Sequence, residues 1–224
     1  MLQTIRDHPP PTSHPDLVRQ RESKLGRGAP SLDIEASLSR GNSQQRRKAA
    51  KWIRTHKEQE FDAALLSALQ KEAQSPKTWE TQYHMIMALG AIRSKNSLEL
   101  LWSLPQKRLE YMPLVAAGDA VMSIEANARV FEAARKLNSL PFIVGVIRAV
   151  AQPELGASLA PEAVQIASRS READLVYWGL AASQKDKKVD ASLLIESAKT
   201  SKENYLTHAA DKIAAGVPLD VSRL

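Results

Sequence analysis

Apolar residues along this chain recur at helical spacing. In "TWETQYHMIMALGAIR", Trp79, Tyr83, Ile86 and Gly90 fall at i, i+4, i+7 and i+11 and share one helical face. Met85, Leu89 and Ile92 form a second stripe. A helix that is apolar on two sides must touch neighbours on both. The next segment carries only Leu98, Leu101 and Trp102, a narrow stripe that leaves one face wet. The period of two that marks a half-buried strand is missing. The pattern predicts helices near 31–39, 43–57, 61–73, 77–93, 97–104, 113–125, 128–137, 140–151, 161–168, 172–183, 190–199 and 202–215.

The residues between these stretches fit helix ends. Asn42 with Gln45, and Asn96 with Glu99, have the spacing of capping boxes. Pro76 and Pro161 suit a first helical position, where no backbone donor is needed. Asn127, Ser139 and Asp190 are further N-cap candidates, because a short polar side chain can accept from free amides. Gly216 and Pro218 end the last helix. "HPPPTSHP" and "LGRGAP" break residues 1–30 into a flexible or loosely docked arm, with room for a short helix around Pro15–Leu25. Residues 31–224 are expected to form a single helical-repeat domain.

The helices also repeat. "LGA" at 89–91, "DAV" at 119–121, "RAV" at 148–150 and "GLA" at 179–181 end the more apolar helices. Their central residues, Gly90, Ala120, Ala149 and Leu180, are 30, 29 and 31 residues apart. A period in this range marks stacked supersecondary units, each of which needs its neighbour to bury an apolar face.

"TWETQYHMIMALGAIRSKNSLELLWSL" resembles a HEAT-like or bilin-lyase-type helical repeat, with the "MALGAI" helix end, the short polar turn and the "LELLWSL" second helix carrying the likeness. The resemblance extends loosely over 43–215. It implies a right-handed α-α superhelix, a HEAT-like solenoid of about five helix pairs with an N-terminal arm. Proteins of this type include scaffolds, inhibitors, lyases and DNA-repair enzymes, so fold alone does not assign an activity.

Composition narrows the field. The 224 residues are 43% hydrophobic and 25% charged, as in folded soluble chains, and contain no cysteine, so disulfides and thiolate chemistry are excluded. No apolar run is long enough to span a bilayer, and the N-terminus lacks a signal-peptide h-region, so a cytoplasmic protein is expected. The formal charge of +6 is uneven. Residues 1–75 hold 13 Lys/Arg against 9 Asp/Glu, and the remainder 18 against 16.

Candidate chemistry is sparse. His8, His14, His56, His84 and His208 never stand at i, i+3 or i+4, so no helical metal pair arises and no metal or cofactor is expected. His84 reads as a packed histidine. Tyr177 and Trp178 beside Asp174 have the residue types of a base-excising pocket in HEAT-like alkylpurine glycosylases, and equally those of packing aromatics with a first-turn carboxylate. The most distinctive segment is 44–57. Arg47, Lys51 and Arg54 form a basic stripe on one helix, flanked by Arg46 and Lys57. Such a stripe can hold phosphate or an acidic surface, or can be a solvated face.

The resulting expectation is a non-catalytic protein-binding module. Its groove would be built from the second helices of the pairs, with Glu99, Arg129, Glu132, Arg135, Gln165 and Arg169 as recognition groups. Their mixed charge suits a folded protein better than a nucleic-acid backbone. The chain resembles some bacterial immunity proteins that neutralise a partner toxin. The alternatives are a nucleic-acid-binding, glycosylase-like protein using the 46–57 helix, and a bilin-lyase-like enzyme.

Overall fold

Local chemistry starts the first long helix where the pattern requires. The Gln45 amide donates to Asn42 Oδ1 at 3.0 Å, and the Asn42 amide donates back to Gln45 Oε1 at 2.8 Å, a complete capping box. A computed structural model describes residues 33–219 and 221. The expected arm and its possible short helix lie outside the described residues. Among those described the chain is all α, with twelve α-helices. They are α1 (Ile34–Ser39), α2 (Ser43–His56), α3 (Asp62–Glu72), α4 (Trp79–Ala91), α5 (Leu98–Ser103) and α6 (Tyr111–Glu125). There follow α7 (Arg129–Lys136), α8 (Leu140–Ala151), α9 (Ala160–Ser168), α10 (Ala173–Ser183), α11 (Ser192–Lys199) and α12 (Asn204–Ala214).

Asn127 and Asp190 each stand one residue before the N-cap, which is Ala128 for α7 and Ala191 for α11. From there Asn127 Oδ1 still accepts from the Arg129 amide at 3.0 Å, and Asp190 Oδ1 from the Ser192 amide at 2.9 Å. Pro161 sits in the first turn of α9, and Gly216, at φ +70°, follows the end of α12. Three further positions depart from expectation. Asn96 caps nothing: its side-chain amide donates to Asp62 Oδ2 at 2.9 Å, and a 3-10 turn over Lys95–Ser97 leads into α5 instead. Ser139 stands at the N-cap of α8 without a side-chain bond. Pro76 opens a 3-10 turn, so α4 begins only at Trp79.

Packing divides the helices into two sets. The even-numbered helices α2, α4, α6, α8, α10 and α12 lie in one row, each against the next. Each odd-numbered helix packs beside an even neighbour. From α3 to α9, consecutive odd helices scarcely touch one another. Small residues set the closeness of the even row. A Cβ on Gly118 would lie 1.9 Å from the carbonyl oxygen of Phe142, and one on Gly145 1.9 Å from that of Val115. The α6 and α8 backbones therefore meet where neither tolerates a side chain. Gly90 faces Ala120 in the same way, so the first two central residues of the repeated triplets are in contact.

The row is centred on α6, where Pro113 through Met122 are all buried. Residues from helices two apart in the row also meet. Arg148 of α8 reaches Met87 of α4, with Nη2 3.3 Å from the sulfur. Tyr111 of α6 reaches α10, donating its hydroxyl hydrogen to Asp174 Oδ2 at 2.5 Å. We call the face of the even row that carries these two contacts the inner face.

Candidate functional site

The even row has two edges of different chemistry, set by the two ends of its helices. Along one edge the first turns present large side chains to solvent: Trp79 at 40% exposure, Tyr111 at 41%, Leu140 at 36% and Tyr205 at 44%. Tyr177 stacks towards Tyr205 with ring centroids 5.9 Å apart, and edge-on to Trp178 at 5.2 Å. Trp178 itself is buried, so it belongs to the core. Asp174 is engaged by Tyr111. Burial, followed by the bond to Asp174, holds the Tyr111 hydroxyl well above the ordinary tyrosine range.

The opposite edge, formed by the C-terminal halves of α2, α4, α6 and α8, encloses a pocket of about 310 Å³. Its cationic lining is Arg54, Lys57, Arg93 and Arg148. Asp119 holds Arg148, with Nε 2.8 Å from Oδ2, and both residues are about 95% buried. Burial alone would depress the guanidinium pKa. The Asp119 carboxylate outweighs that effect, with help from the Tyr83 side chain, and keeps the pKa above its usual value.

The basic stripe of α2 divides into two parts. Arg46 binds the buried Glu72 at 2.5 Å and also donates to the Gly41 carbonyl oxygen, while the Ser43 hydroxyl donates to the same carboxylate at 3.0 Å. This cluster ties the end of α3 to the start of α2. Arg47 is ion-paired with Glu80 of α4. Lys51, Arg54 and Lys57 have no carboxylate partner among the described residues. The field of the α2 cations reaches His84 on α4. Burial first, then Lys51, Arg54 and Arg47, lowers the His84 pKa to about 4, so the ring is neutral at pH 7. Its Nδ1 is buried without a hydrogen-bond partner.

Glu99, Arg129, Glu132, Arg135, Gln165 and Arg169 are all exposed. They lie on α5, on α7, and on α9 with its C-cap. These helices scarcely touch one another, so the six residues are divided among three separate elements. Glu132 pairs with Lys136 at 2.8 Å, one turn along the same helix. Among the described residues no cluster of His, Cys, Asp or Glu suits a metal ion, and no helix is long and apolar enough to cross a membrane.

Sequence reasoning passed over the Asp119–Arg148 pair, although its signal was present. "DAV" and "RAV" are successive repeats of one triplet, and their first residues carry opposite charges. No known protein family, curated protein or solved structure matches the chain.

Proposed function

We propose that this chain is a non-catalytic binding module of the HEAT-like helical-repeat type, and that it docks a folded protein on the inner face of its even helices. The observation that carries the reading is the exposure of Trp79, Tyr111, Leu140 and Tyr205 in the first turns of four even helices. Tryptophan and tyrosine are the side chains on which protein interfaces most often concentrate their binding energy. The α6–α8 backbone contact supplies rigidity to the row. Carboxylates accompany the aromatic edge and cations the opposite one, so the surface suits a partner of mixed charge. An inhibitor that covers a toxin's active site, as immunity proteins do, would use such a face. The ridges bearing Arg129, Glu132 and Arg135 are the weaker candidate because α5, α7 and α9 share no continuous surface.

Nucleic acid is the second reading, favoured by Lys51, Arg54 and Lys57, which lack a carboxylate partner among the described residues. Arg46 and Arg47, already engaged by Glu72 and Glu80, weaken it. The two readings separate on salt. We would capture partners from the native source and titrate the captured protein, a DNA duplex and a single strand at two salt concentrations. A salt-tolerant protein complex with weak binding to both nucleic acids supports the proposal. Tight duplex binding that falls with a log–log slope of about −0.9 per phosphate contact overturns it.

A further inference from the structure

The pocket at the basic edge points to a ligand of its own, whether or not a protein docks on the same face. We infer that it is a binding site for a phosphomonoester, held by Arg54, Lys57 and Arg93 with its organic body against Met87 and Leu155. All five residues line the one cavity. About 310 Å³ is at the lower end of the range for small-molecule sites, room for a phosphate and a small group attached to it.

The charges identify the class. Asp119 and Arg148 neutralise each other within the wall. Arg54, Lys57 and Arg93 are left without a carboxylate partner among the described residues, and none of the three donates to a helix-end carbonyl. Lys57 and Arg93 stand in left-handed backbone conformations directly after α2 and α4, at φ 56° and 53°. There they offset the partial negative charge of the two helix ends. Against the remaining excess stands one further carboxylate in the lining, Glu154. The cations come from two separate chain segments, the end of α2 and the turn after α4. A planar carboxylate presents two oxygens in one plane. A phosphate presents three oxygens in different directions and carries close to two charges at pH 7, so it can meet donors from both segments.

His84, one turn before Met87, supplies a reporter. The groups acting on it are Lys51, Arg54 and Arg47 of α2, all cationic. A dianion seated beside Arg54 counters that field and raises the imidazole pKa.

The test uses the full chain, with phenyl phosphate, benzoate, benzyl alcohol and inorganic phosphate as probes. Calorimetry at pH 7.5 reads binding, and NMR follows the His84 ring through a pH titration. Phenyl phosphate is expected to bind one to one and to raise the His84 pKa. Benzoate binds more weakly and benzyl alcohol not at all. Arg54→Gln and Arg93→Gln each weaken phenyl phosphate by about ten-fold or more, the loss that follows removal of a charge-assisted hydrogen bond. Thermal melts check that these variants fold, and Lys57→Gln provides a third independent position. Inorganic phosphate competing as well as phenyl phosphate assigns the site to the free anion and removes the role given to Met87 and Leu155. Absence of saturable binding, equal affinity for benzoate, or full affinity in all three variants overturns the proposal.

Discussion

Asp119 of α6 and Arg148 of α8, 29 residues apart in sequence, meet as a buried ion pair at 2.8 Å. The pair joins α6 to α8 on the inner face, and Arg148 continues to Met87 on α4. Three consecutive members of the even row are therefore linked by one guanidinium. Removing either partner leaves an uncompensated charge in the protein interior. Asp119→Ala or Arg148→Ala should each cost about 3–5 kcal/mol in urea unfolding. Asp119→Leu with Arg148→Met should cost clearly less than the sum of the singles, since both charges go together. Additive losses would mean that the two side chains act independently.

A sharper steric limit applies between α6 and α8. Gly118→Ala and Gly145→Ala each force a methyl group into a backbone carbonyl of the facing helix. Overpacking typically costs about 1–3 kcal/mol, and a clash with backbone should exceed that range. Gly156→Ala is the control, because the nearest atom to a Cβ there is 3.7 Å away. If thermal melts show Gly145→Ala as mild as Gly156→Ala, the close approach of the two backbones is wrong.

The depressed pKa of His84 couples stability to pH. In the unfolded chain this histidine titrates near 6.5, and in the folded one near 4. Between these values the unfolded state binds the extra proton, so stability is full above pH 6.5 and declines as pH falls towards 4. Denaturant unfolding at pH 7.5 and pH 5 should show a larger loss for the wild-type chain than for His84→Gln. Equal losses, or an NMR titration of His84 near 6.5, would contradict the placement of the ring beside Lys51 and Arg54.

The helices and their order were legible because burial on α4 and α8 repeats at helical spacing and Asn42–Gln45 is a local signal. Their start points were less so. Asn96 has the spacing of a capping box, yet its side chain is taken by Asp62 on α3, a contact 34 residues away that no local pattern contains. The sequence places Arg47, Lys51 and Arg54 in one basic stripe flanked by Arg46 and Lys57, with nothing to tell engaged cations from free ones. Folding engages Arg46 with Glu72 and Arg47 with Glu80, and leaves Lys51, Arg54 and Lys57 without a carboxylate partner among the described residues. The exposed first-turn side chains were hidden for a different reason. Trp79, Tyr111, Leu140 and Tyr205 look like ordinary core residues in sequence, and only the first-turn position of each leaves it exposed.

Tyr111 tests the contact between α6 and α10. Its hydroxyl spans from α6 to Asp174 on α10. Tyr111→Phe removes the bond while keeping the ring, and should cost about 1 kcal/mol at this partly exposed site. Asp174→Asn should cost a similar amount, and the double variant no more than either single. A double variant whose loss equals the sum would show that the bond does not form in solution.

The central claim is that partners bind on the inner face and not on α5, α7 and α9. The most direct measurement is the Kd of the captured protein complex for two sets of variants, each first shown to melt like the wild type. Trp79→Ala and Tyr205→Ala should each weaken binding by about 2 kcal/mol or more, as truncated interface anchors do. Reversal of Arg129, Glu132 and Arg135 together should change it by less than about 1 kcal/mol, the size of exposed charge effects. Loss of binding on the Arg129, Glu132 and Arg135 reversal, with full affinity in Trp79→Ala and Tyr205→Ala, would contradict the account and return the site to α7.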